Sequence, residues 1–259
     1  MNRLAGKVAC ITGASTGLGR ELARLYAEEG ARIVLCDVRR LEGERTLAEI
    51  ERAGGEALFV EADVSRSDDM RDVVAAAEQT FGALHVMTAN AGILGRGTGK
   101  SLVDITEGEI AEIMDVNWLG VCFAFKHAIP AIRRAGGGAM TATASVAAHR
   151  GRPELPIYSA SKGAVVALVR SLALDLAPEI RVNAVSIGSM RTEMRAHAAE
   201  AQGIALDDLT TGAARGTGFL GIADPRQIAF THLHLVSDES SFITGQVIVA
   251  DGGKSIATP

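Results

Sequence analysis

Short apolar runs alternate with helical patterns along the whole chain, and this alternation limits the possible folds more than any other feature. The runs lie at 7–11, 31–36, 57–60, 84–89, 139–145, 181–187 and 246–250. Most are short and apolar almost throughout, as strands buried on both faces are. Parallel strands need helical crossovers, and the segments between the runs supply them at 20–29, 41–52, 67–81, 106–134 and from Pro156 to about Leu176. Another helix starts at Asp224-Pro225, an N-cap followed by the one residue whose ring suits the first turn. Thr106-x-x-Glu109 reads as a capping box, and Ser67 as a plain N-cap. The expectation is one α/β domain over 1–259: a doubly wound parallel sheet of about seven strands, helices on both faces, right-handed crossovers.

Composition agrees with this. Apolar residues make up 47% of the chain and aromatics only 4%, so small and branched side chains fill the core. A net charge of -5 with no basic run argues against nucleic acid as a partner. Cys10, Cys36 and Cys122 lack metal-ligand or redox spacing and read as buried thiols in a reducing compartment. No metal site is expected. The start of the chain shows no secretory h-region and no run reads as a membrane span, so a cytoplasmic protein without a membrane partner is expected.

The first turn carries Gly13, Ser15, Thr16, Gly17, Leu18 and Gly19 between a strand and a helix. In that setting glycines allow a tight turn and close approach of a pyrophosphate to the helix N-terminus, although such turns also serve plain packing. Asp37 ends the second run, just over 20 residues beyond Gly13, where a carboxylate can accept from both ribose hydroxyls. A 2′-phosphate would be repelled there, which favours NAD over NADP, while Arg39 and Arg40 next to it could still admit NADP. As an alternative, Asp37 is only a turn residue. The stretch Gly95 to Ser101 mimics a P-loop but has Leu94 where the first glycine belongs, and its helix starts late.

Tyr158 and Lys162 are four residues apart and share one helix face. A phenol beside an ammonium is a candidate acid/base group. Working near neutrality requires its pKa to fall by about three units, roughly 4 kcal/mol. A unit charge near 4 Å at a dielectric of about 20 supplies about that much.

Together, residues 12–19, Asp63-Val64, Asn90-Ala91-Gly92, Asn117, Ser145, Tyr158-x-x-x-Lys162 and the tail 243–253 resemble the short-chain dehydrogenase/reductase family over essentially the whole chain. The resemblance implies a Rossmann-type sheet of seven strands and hydride transfer to or from a nicotinamide. It implies that Ser145 holds the substrate oxygen and that Tyr158 is base for alcohol oxidation and acid for ketone reduction. Lys162 would lower the Tyr158 pKa and bind the nicotinamide ribose, and Asn117 would anchor a relay water. Val38, Asp63 and Val64 would line the adenine side, with Asn90, Ala91 and Gly92 flooring the cofactor. Ile187, Gly188 and Thr192 would meet the nicotinamide. Two departures are Ile187 where the family usually has Pro, and Ala89 where it usually has Asn; neither falls on the four catalytic positions.

The substrate would contact Ser145, Tyr158 and the following loop with His149 and Leu155, under a lid at 189–221. A small alcohol or ketone is expected; a lone loop histidine such as His149 is more often simply solvated. The nearly all-round apolar helix 157–176 predicts a homo-oligomer, a tetramer by resemblance, pairing it and the 106–134 helix. Competing readings are an NADPH-dependent reductase of carrier-bound 3-oxoacyl groups and a non-catalytic NAD-binding sensor.

Overall fold

The computed structural model describes residues 2–153, 155–191 and 219–256. Seven strands form one parallel sheet: β1 (Val8–Thr12), β2 (Arg32–Asp37), β3 (Ala57–Glu61), β4 (Val86–Ala89), β5 (Gly138–Ser145), β6 (Ile180–Ile187) and β7 (Val247–Ala250). Their order is β3-β2-β1-β4-β5-β6-β7. Between β1 and β4 the order reverses direction, which opens a crevice at the carboxyl ends of these strands. The described helices are α1 (Gly17–Glu28), α2 (Arg40–Arg52), α3 (Ser67–Phe81), α4 (Glu107–Met114), α5 (Gly120–Arg134), α6 (Pro156–Leu176) and α7 (Pro225–Val236).

Side-chain alternation along each strand separates two cores. Met140, Ala142 and Ala144 of β5 pack with α3, α5 and α6, including Val73, Phe125 and Val165. Ala139 and residues Ile11, Ile33 and Val185 pack with α1, α2 and α7 through Leu22, Ile50 and Leu233. The helices therefore cover both faces, as the strand–helix alternation predicts.

Three local expectations change. The predicted helix 106–134 is not one regular helix: α4 and α5 are joined by a π-helical turn, Asp115–Leu119, with Asn117 fully buried in it. The cap of α3 is Arg66 with no side-chain bond, because the Ser67 hydroxyl instead lies 2.9 Å from His127 Nε2. Thr106 does form its capping box with Glu109, and Asp224 forms one with Gln227. Cys10 and Cys36 are buried, but Cys122 is only half-buried.

By length and composition alone α6 could cross a bilayer, contrary to the sequence expectation. Its buried Val165, Val166 and Val169 instead pack on the sheet. Within the single chain Leu174 of α6 is 84% exposed.

Candidate active site

The crevice at the β1–β4 junction is built first by Thr12. Its buried hydroxyl accepts from the N–H groups of Asn90 (3.0 Å) and Ala91 (3.1 Å). Asn90 returns the link: its amide nitrogen donates to the carbonyls of Thr12 (3.1 Å) and Gly13 (3.3 Å). Gly13 sits at φ +65°, and a Cβ there would lie 2.8 Å from Ala91 Cα. A Cβ on Gly19 would lie 1.9 Å from the Gly13 carbonyl oxygen. Both glycines are thus required by backbone packing, and they hold a turn that opens directly onto the N-terminus of α1 at Gly17.

Asp37 closes the second wall. Its carboxylate accepts from Ser15 N–H (3.0 Å) and Arg39 N–H (3.0 Å). Two of its roughly four acceptor positions remain for a ligand's hydroxyls. The plain turn role and a binding role therefore coexist. The buried Ser15 hydroxyl donates to the Arg39 carbonyl (3.2 Å), tying the glycine turn to this strand end. A cleft of about 330 Å³ beside it is lined by Val38, Glu61, Ala62, Asp63 and Asp69. Asp63 itself accepts from the Ser65 N–H and hydroxyl (2.9 and 2.7 Å), while Val64 is buried in the core and does not line this cleft. Thr16 precedes α1 with extended backbone and Leu18 packs into the core.

Lys100 of the P-loop look-alike pairs at 2.6 Å with Glu109, the capping-box carboxylate of α4, so its charge is spent there.

The second half of the site converges on the end of β5. The Ser145 hydroxyl accepts from the Ala147 N–H (3.2 Å), capping a short turn, which leaves its own proton to donate. Its nearness to the Tyr158 phenol pulls that pKa down, and the charge of Arg152 acts in the same direction. Burial is the larger influence, and the phenol stands above its ordinary value of 10.

The spacing points to Lys162 as the main downward pull on Tyr158, whereas the influences lowering its pKa come from Ser145 and Arg152. The ammonium is almost fully buried, donates to the Thr143 carbonyl at 2.8 Å, and sits 5.9 Å from the centre of the Tyr158 ring. It is turned to the strand end, and burial lowers its pKa from 10.5 to about 8. A charge that is itself destabilised and directed elsewhere contributes less than the simple Coulomb estimate.

This shift has a sign that can be tested. Between pH about 8 and 10.5 the unfolded chain holds this proton more tightly than the folded one. The group therefore costs stability below that window, and the cost is relieved as pH rises through it. The relief is about 3 kcal/mol, taken from the fall of 10.5 to about 8. Denaturant melts of wild type and Lys162→Met from pH 7 to 10.5 should show the wild type gaining by this amount. A pH-independent difference would refute it.

Asn117 is placed by the π turn. Its amide oxygen accepts from Ile93 N–H (2.8 Å) and its nitrogen donates to Ile93 O (2.9 Å) and Ser161 Oγ (3.1 Å). Ser161 in turn donates to the Tyr158 carbonyl at 2.7 Å, so Asn117 braces both the post-β4 loop and α6. Gly92 lies against them: a Cβ there would be 3.2 Å from both Asn117 Oδ1 and Lys162 Nζ. Ser145, Tyr158, Lys162 and Asn117 thus meet at one place.

An apolar wall flanks Tyr158, made by Leu94, Ile105, Ile113, Leu155 and Ile157 among others. Leu155, expected at the substrate, is among these lining residues. His149 is exposed on the turn after Ser145 and is not part of this wall. Ile187 ends β6, paired with Ser145 and Ala250. Gly188 passes so close to Asp251 that a Cβ would sit 2.7 Å from its Cα. Thr192 and most of the predicted lid lie outside the described residues; within it, Met190 is buried and bridges Ala223.

Sequence reasoning missed Thr12, Thr143, Ser161 and the apolar residues of α4. A signal existed for Thr143: Thr141, Thr143 and Ser145 form a polar stripe of period two in an otherwise apolar run.

A family profile described as enoyl-(acyl carrier protein) reductase matches residues 13–255. Cyclohexanol dehydrogenase of Acinetobacter sp. (strain SE19) is 36% identical, over 97% of this chain and 96% of that protein.

The chain belongs to the short-chain dehydrogenase/reductase family.

Another short-chain dehydrogenase/reductase relative is trans-4-hydroxycyclohexanecarboxylate dehydrogenase of Sinomonas cyclohexanicum, 35% identical over 98% of this chain and 95% of its own. Among solved structures, levodione reductase superposes with a TM-score of 0.90 at 28% identity, covering 98% of this chain and 99% of that one. A short-chain dehydrogenase/reductase from Mycobacterium marinum gives 0.89 at 33% identity, covering 98% and 97%. Family membership makes this an oxidoreductase that uses a nicotinamide cofactor. The residues present suit such a group: a glycine cradle that side chains would fill, an open helix N-terminus, and a carboxylate with acceptor capacity to spare.

Proposed function

We propose that the protein interconverts a secondary ring alcohol and its ketone using NAD. The observation that carries this is the convergence of Ser145, Tyr158, Lys162 and Asn117 at the end of β5, with an apolar wall flanking the phenol. Several relatives bear names of ring alcohol dehydrogenases, including cyclohexanol and a dichlorocyclohexadiene-diol.

Asp37 would hold the adenosine ribose, with Gly13, Ser15, Gly17 and Gly19 under the pyrophosphate and Val38 and Asp63 beside the adenine. Asn90, Ala91, Gly92, Ile187 and Gly188 would line the remaining length of the cofactor. The bound nicotinamide supplies the acceptor or donor of hydride. Ser145 donates its free proton to the substrate oxygen and holds it near the phenol. Tyr158 takes the hydroxyl proton in oxidation and returns it in reduction. Lys162 stabilises the phenolate through space while Thr143 anchors it, and Asn117 keeps α6 and the post-β4 loop at fixed spacing. The apolar wall excludes water from the reacting carbon.

The family profile's description favours a second reading, reduction of an acyl group on a carrier protein. Turnover of cyclic and linear alcohols, their ketones and an acyl-carrier substrate with NADH and NADPH side by side separates the two. The expected result is ring substrates with NADH at least about tenfold preferred, and Asp37→Ala should erase that preference. Turnover only of the acyl-carrier substrate with NADPH would overturn the proposal. No turnover with NADH still bound would leave the sensor reading.

A further inference from the structure

His232 of α7 is completely buried, and both ring nitrogens face threonine hydroxyls: Nδ1 to Thr141 Oγ1 at 3.1 Å and Nε2 to Thr143 Oγ1 at 3.4 Å. The order of protons along this chain follows from its far end. Asn90 spends its amide hydrogens on the Thr12 and Gly13 carbonyls, so its oxygen can only accept. The Thr143 hydroxyl therefore donates to Asn90 Oδ1, at 3.0 Å. Its oxygen is left with acceptor capacity alone, so His232 must carry its proton on Nε2 and donate. Nδ1 is left as the acceptor facing the Thr141 hydroxyl at 3.1 Å, whose proton is shared with Thr88 at 3.2 Å. Burial keeps the ring neutral, with a pKa lowered to about 3, as one donor and one acceptor require. The Thr88 hydroxyl, 3.2 Å from Thr141 and 3.3 Å from Tyr26, extends the network to α1.

We propose that His232 is a positioning residue for the dinucleotide turn: its Nε2–H sets the Thr143 hydroxyl, which sets the Asn90 amide, which holds the Thr12–Gly13 carbonyls. The role rests on the reading that this turn receives the cofactor. It acts from behind the sheet and touches neither cofactor nor substrate. It is separate from the hold on Lys162, which uses the main-chain carbonyl of Thr143 and survives loss of the hydroxyl.

The test combines NADH titration by fluorescence, thermal melting and ¹⁵N NMR of the histidine rings. His232→Phe should raise the NADH Kd about tenfold, and Thr143→Val should do the same. The double variant should be no worse than either single, because both cut one chain. His232→Gln, which keeps an N–H near Nε2, should recover binding to within about threefold. At saturating NADH, kcat should change less than about twofold in His232→Phe. Unchanged Kd in both single variants, with only a lower Tm, would make the network purely structural and overturn the proposal. An Nδ1–H tautomer in the NMR spectrum would overturn the positioning chain itself. Failure of the wild type to bind NADH would instead strike at the dinucleotide reading on which it rests.

Discussion

Tyr158→Phe should lower kcat by about 10³- to 10⁴-fold while the NADH Kd stays within about twofold. The substitution keeps the ring, and with it the packing against Lys162 at 5.9 Å from the ring centre. It removes only the phenol oxygen. No other described side chain can take over, since the Ser145 hydroxyl lacks a base and Lys162 is spent on the Thr143 carbonyl. Steady-state rates on the preferred ring alcohol, with NADH titration as the binding control, decide the matter. A variant retaining more than about a tenth of wild-type kcat would remove Tyr158 from the chemistry.

Gly19→Ala should be nearly as damaging by a different route. The added methyl would fall 1.9 Å from the Gly13 carbonyl oxygen, and main chain cannot swing aside as a flexible side chain can. The turn must open by more than an ångström, which costs about 1–3 kcal/mol of stability. Misplacement on that scale costs about 100-fold in function. Gly163→Ala is the matched control: it lies within α6 with nothing within 4 Å of the added carbon. That variant should be more stable than wild type by up to about 1 kcal/mol. Urea melts and NADH titration of the two variants provide the comparison. Equal behaviour would mean that the close approach at Gly19 imposes no constraint.

Much of this was legible in the sequence because it depends on local or periodic information. Strand runs, the glycine turn, the Thr106 and Asp224 caps and the Tyr158–Lys162 spacing are such features, and the structure reproduces them within a few residues. What was not legible depends on direction. Spacing puts Lys162 under Tyr158 but does not reveal that its ammonium reaches for a strand carbonyl, because that carbonyl is 19 residues away in the chain. Ser67 looks like a cap until His127, 60 residues on, takes its hydroxyl. Nothing local marks the partner of the β5 threonines, because the histidine that meets them arrives on α7, across a long connection. The capping box marks where α4 begins but carries nothing about the irregularity nine residues later, for which a buried mid-helix asparagine was the one hint.

That irregularity has a consequence for how the molecule can change. One surplus residue in a helical turn shifts the angular phase of everything beyond it by about 100°. The rod from Glu107 to Arg134 therefore has two independent headings. Its first part turns Ile113 toward the pocket beside Tyr158, and its second turns Val121, Ala124, Phe125 and Ala128 into the core. Drift in the first part can retune what the protein accepts without asking the second to repack.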